Sequence, residues 1–77
     1  MILKNKQTHE TLNIEYWKFR ELFKKEIQEA LESYRQTQLK KYPYKFQDKN
    51  SIEYNFYFEL QWNFNHFGAS IWYIEKM

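Results

Sequence analysis

The sequence predicts an α+β fold: one long amphipathic helix packed on a three-stranded antiparallel β-meander, with the N-terminal residues available as a short edge strand. Three observations carry that expectation. Leu12, Tyr16, Phe19, Phe23, Ile27, Ala30, Leu31 and Tyr34 recur at the three- or four-residue spacing of one helix face. Pro43 follows, and proline lacks the backbone donor that a helix needs. From Ile52 to Phe64 every even-numbered position is large and apolar, while every odd one except Tyr57 is Glu, Asn or Gln. Successive strand side chains point to opposite faces, so this alternation reads as one long strand with an apolar face and a polar face.

Taken in order, residues 1–11 form a polar leader in which Ile2 and Leu3 can seed an edge strand. The helix is expected over residues 12–41, capped by Thr11 or Asn13. Glu21 and Lys25 stand on its solvent side in the favourable i,i+4 order, and Lys40 and Lys41 suit the negative end of its dipole. Residues 42–77 supply the sheet. Tyr42, Tyr44 and Phe46 alternate with Pro43, Lys45 and Gln47 as a first strand, and Asp48-Lys49-Asn50-Ser51 is a turn signal. The long alternating strand comes next, about 43 Å at ~3.3 Å per residue. It roughly matches the helix in length and calls for a bulge near Tyr57 or Gln61. Asn65-His66-Phe67-Gly68, with the only glycine of the chain, makes the last turn, and residues 69–76 the last strand.

Seventy-seven residues set one domain, near the lower limit of what a single core stabilises. Cysteine is absent, so no disulfide framework helps. Seven Phe, seven Tyr and three Trp compensate, each able to bury roughly 150–250 Å². Met1-Ile2-Leu3-Lys4-Asn5-Lys6 begins no apolar run of signal-peptide length, and no segment is apolar enough to span a bilayer, so a cytoplasmic protein is expected. The net charge of +2 is too small for strong electrostatic steering to nucleic acid. Phe, Tyr, Met, Ile, Asn and Lys make up 38 of the 77 residues, Gly, Ala, Arg and Pro only 6, the bias of an AT-rich genome.

Catalytic and cofactor chemistry finds no foothold. His9 and His66 fall in the leader and a turn with no acid–base pattern around them. No His, Asp or Glu spacing matches a metal site, and one glycine is too few for a phosphate-cradling loop. Glu53 and Glu59 stand about 20 Å apart along a strand, too far for a paired-carboxylate mechanism. Neither enzyme activity nor a cofactor or metal is expected.

Binding is therefore the expected role. In Ala69-Ser70-Ile71-Trp72-Tyr73-Ile74-Glu75 both strand faces are apolar, yet one helix covers only one of them. A hairpin pairing Phe64 with Ala69 puts Trp72 and Ile74 outside beside Tyr57 and Gln61, and a one-residue slip exchanges them for Ile71 and Tyr73. The expected partner-binding residues are Trp17, Tyr57, Gln61, Trp72 and Ile74, either for a foreign protein or for a second copy in a homodimer. The alternative reading is a nucleic-acid contact through the basic segment of residues 35–49, carried by Arg35, Lys40, Lys41, Lys45 and Lys49. In size, composition and AT-rich coding the chain resembles the small inhibitors that phages and plasmids encode against host defence systems, anti-CRISPR proteins among them. That resemblance implies a non-catalytic viral protein that binds a host protein stoichiometrically in the host cytoplasm.

Overall fold

The thirteen-residue alternation is helical. In the computed structural model, which describes residues 1–44 and 48–77 with every side chain among them except that of Lys49, residues 49–67 form two helices and no strand. The elements run β1 (Ile2–Asn5), β2 (Thr11–Asn13), α1 (Tyr16–Leu22), α2 (Lys24–Lys41), α3 (Lys49–Phe58), α4 (Leu60–Phe67) and β3 (Trp72–Lys76). The α+β class holds. The single long helix on a meander does not, and neither does a sheet over residues 42–77.

The reason lies in an ambiguity of period. Apolar residues at every second position contain two interleaved sets at four-residue spacing. A strand places both sets on one face, whereas a helix turns about 100° per residue and sets them about 200° apart. The chain takes the second course. Ile52, Phe56, Leu60 and Phe64 are buried, all at 3% exposure or less, while Tyr54, Phe58 and Trp62 point outward. Asp48, read as part of a turn, is instead the N-cap of α3 and accepts a hydrogen bond from the Asn50 backbone N–H at 3.0 Å.

Both helical stretches are bent rods. The expected helix over 12–41 yields Leu12 to β2 and breaks at Phe23, between α1 and α2. The second rod breaks at Glu59. There Phe56 has a carbonyl of the last turn of α3, and the buried Asn63 side chain donates to it at 2.9 Å. Gly68 ends α4, and a Cβ at that position would collide with the Phe64 carbonyl oxygen.

The sheet is antiparallel in the order β2-β1-β3, so the N-terminal strand is central and pairs with the last one. Leu3 stands opposite both Leu12 and Ile74, and Asn5 opposite Trp72. Directly opposed residues share a face, so Leu3, Ile74 and Trp72 point towards the helices. Ile2, Lys4 and Tyr73 take the other face. The register left open by the sequence is thus settled, and Trp72 and Ile74 are on the inner side. Under the sheet, Phe19, Phe23 and Phe64 pack as tilted and edge-to-face rings, with centroids 5.2–6.3 Å apart. At the far end Tyr34 meets Phe56 and Phe67, each at 5.6 Å.

The outer edge of β3 is closed by side chains. Asn65 Oδ1 accepts from the Ile74 N–H at 2.7 Å while its Nδ2 donates to the Ile74 carbonyl at 2.8 Å. Gln61 adds bonds to the Ile74 and Glu75 carbonyls at 3.3 and 3.1 Å. Together they satisfy a strand edge that would otherwise template pairing with another chain.

Candidate functional site

Three large rings on the outer side of α3 and α4 do no work for the core. Tyr54, Phe58 and Trp62 are 69%, 72% and 64% exposed, and His66 continues their four-residue spacing. Tyr54 stacks on Phe58 at 6.1 Å, and Trp62 stacks on His66 at 5.4 Å. Between the two stacks lies a cleft of about 650 Å³ walled by Tyr57, Phe58, Trp62 and Met77. A second cleft of about 490 Å³ opens on the α2 side, with Tyr34, Lys41, Trp62 and His66 among its walls. Glu59 borders both clefts, and it is the only formally charged residue between positions 54 and 74. By contrast α2 alone carries Lys24, Lys25, Glu26, Glu29, Glu32, Arg35, Lys40 and Lys41. The charged side chains of α2 and the exposed rings of α3 and α4 thus lie on different elements.

The side chains expected to bind a partner converge only in part: Tyr57 and Gln61 line the first cleft and Trp17 meets Tyr57 in a smaller one, while Trp72 and Ile74 lie apart from both. Ile74 is 1% exposed and belongs to the core, so it offers nothing to a partner. Trp72 is half-buried on the inner face of β3, packed against that same core. Gln61 spends its amide on β3. Tyr57 is half-buried, with the Arg20 guanidinium 4.3 Å from its ring centroid. Arg20 in turn donates to the Tyr16 hydroxyl at 3.0 Å. Trp17 is 59% exposed, its indole N–H bonded to the Glu15 carboxylate, and it shares a small cleft with Tyr57 and Arg20. Tyr54, Phe58 and Trp62 were missed because a strand reading assigns them to the core. The overlooked signal is arithmetic: a helix needs one apolar position per turn, and this segment supplies two.

The basic segment is likewise dispersed. Arg35 is paired to Glu32 at 2.8 Å and to Glu53 at 3.1 Å, which ties α2 to α3 and neutralises it. Lys40 and Lys41 are exposed at the end of α2. Lys45 lies outside the described residues, and so does the side chain of Lys49. Phe46, expected in a first strand, is also outside them.

Among the described residues no three His, Asp or Glu side chains gather to hold a metal ion, and no helix is long and apolar enough to cross a membrane. His9 sits at the tip of the β1–β2 hairpin with a φ of 64°, and His66 is stacked on Trp62. Burial pushes the Tyr34 hydroxyl above its ordinary pKa of 10.0, and the negative charge of Glu59 adds to the shift. Compared with protein-family models, with curated proteins and with solved structures, the chain matches none.

Proposed function

We propose that the protein is a non-catalytic, stoichiometric protein-binding module whose contact face is the outer aromatic stripe of α3 and α4. One observation carries this reading: three large rings at four-residue spacing are exposed on a helical rod whose fold makes no use of them. Solvent-exposed Phe and Trp at such spacing are the anchors with which a helix enters an apolar groove. Trp and Tyr are enriched among residues that dominate binding energy. At roughly 150–250 Å² per ring, two-thirds exposed, the stripe offers about 400 Å² from rings alone. With its rim this approaches the ~800 Å² per partner of a standard interface. A small inhibitor that blocks a host defence protein by occupying its surface needs no more than such a face. Among the described residues beside the stripe, the charged side chain that borders both clefts is that of Glu59, an acid, which disfavours a phosphate backbone as the partner.

Site-specific photo-crosslinking tests the proposal. A benzophenone side chain at position 58 in the full-length protein should capture one defined protein from a lysate of the encoding cell or its host. The same group at the exposed Ser33 of α2 should not. Equal labelling from both positions, or none from position 58, would overturn the assignment of the face. Crosslinks between two copies would identify the partner as a second chain.

A further inference from the structure

Resting on that reading of the α3–α4 face, we infer that its partner presents an arginine flanked by apolar residues, seated in the cleft between Phe58 and Trp62 against Glu59. The cleft of about 650 Å³ has rings and Met77 as walls, Glu59 as its one charged side chain, and no cationic side chain among the residues that line it. Its two amides, Gln61 and Asn65, are already committed to the backbone of β3. An apolar partner alone would therefore bury a carboxylate without compensation, which is costly. Glu59 stands at the N-cap of α4 but makes no side-chain capping bond, and no ion pair reaches it among the described residues. Its backbone stands at the positive end of the α4 dipole. Lys41 shares only the opposite cleft.

A guanidinium suits this arrangement better than an ammonium. It is planar, so it can stack on the exposed indole of Trp62 or the ring of Phe58, and its fork can grip the carboxylate with two hydrogen bonds. It is also less strongly hydrated, which lowers the cost of entering an aromatic cleft. Charge complementarity thus selects the partner. The protein's face supplies the anion and the rings, and the partner supplies the cation and its apolar flanks.

The test is a titration of the ¹⁵N-labelled full-length protein with acetyl-Leu-Arg-Leu-amide, alongside the citrulline and lysine versions of the same peptide. The arginine peptide should shift the Trp62 indole N–H and the backbone amides around Glu59 in a saturable way. Citrulline, which keeps the shape and loses the charge, should bind about tenfold or more weakly, and Glu59→Gln should weaken arginine binding to the same degree. Glu59 is exposed and makes no capping bond, so the variant should keep the wild-type amide spectrum elsewhere. The inference fails if the arginine peptide gives no saturable shift, or if citrulline or lysine binds equally. It also fails if Glu59→Gln binds arginine like the wild type. Capture of a protein from position 58 together with a failed titration would remove the arginine and leave the face. Failure of both experiments would remove both.

Discussion

Phe56 and Phe58 differ by two positions and by everything that matters to their roles. Phe56 is fully buried and packs on Tyr34, whereas Phe58 is 72% exposed. Phe56→Ala should cost about 3–5 kcal/mol in urea unfolding. Phe58→Ala and Trp62→Ala should each stay within about 0.5 kcal/mol of wild type, because neither ring packs in the core. The same two variants should lose partner capture, the signature of a ring kept for binding. A large stability loss at Phe58 would mean the stripe is structural. Tyr34 gives a prediction in pH. Its folded pKa is raised, so above pH ~10 the unfolded phenol releases a proton that the folded one still holds. The stability contributed by this group is complete below that pH and declines as pH rises through the window up to the folded value. Melting temperature should therefore fall less steeply in Tyr34→Phe than in wild type above pH ~10. Parallel curves would contradict the shift.

The elements owe their limits to specific local chemistry. Asn65 and Gln61 make α4 act as a neighbouring strand for β3, since their amides occupy the Ile74 N–H and the Ile74 and Glu75 carbonyls. Asn65→Leu removes both the donor and the acceptor that cover Ile74. The variant should self-associate with rising concentration in sedimentation runs more than wild type does, because an open edge recruits another strand. Unchanged sedimentation would show that Gln61 closes the edge unaided. At the other end of the sheet, Asn5 shapes the β1–β2 hairpin by accepting from the Gln7 and Thr8 N–H groups at 2.8 and 3.0 Å. That turn forces His9 into the left-handed region, at about 1–2 kcal/mol for a residue with a Cβ. His9→Gly should accordingly raise the melting temperature slightly, and a fall would mean that the histidine side chain holds the turn.

Across the whole molecule, the dimensions of 41 × 23 × 19 Å describe a bent helical pair with the small sheet laid against it, about two layers thick. The first and last strands of the chain are neighbours, so in sequence the β1–β3 pairing brackets both helical rods. Native-state hydrogen exchange should be slowest at Leu3 and Lys4, which are hydrogen-bonded on both sides of the central strand, and along Ile27–Tyr34. It should be fastest in the exposed first turn of α3. Early exchange at Leu3 would show that the sheet opens before the helices do.

How much of this was legible varied with the signal. The stripe from Phe19 to Tyr34 named core residues correctly, because three- and four-residue spacing has one structural meaning over that length. Ile2 and Leu3 do form a strand, but the central one of the sheet and not the expected edge strand. The expected partner residues follow from a strand that does not form, and the same strand reading assigns Tyr54, Phe58 and Trp62, which the structure exposes, to the core. By itself the sequence determined the α+β class, the buried face of the first helical rod, the break near Pro43 and the reliance on aromatic rather than disulfide stabilisation. Only the tertiary structure decided the state of residues 49–67 and the strand order. An every-second-residue apolar pattern satisfies a strand completely and a helix with rings to spare. The choice between them was made by a distant partner: β1, arriving from the N-terminus, takes the place beside β3 that the long strand would have filled.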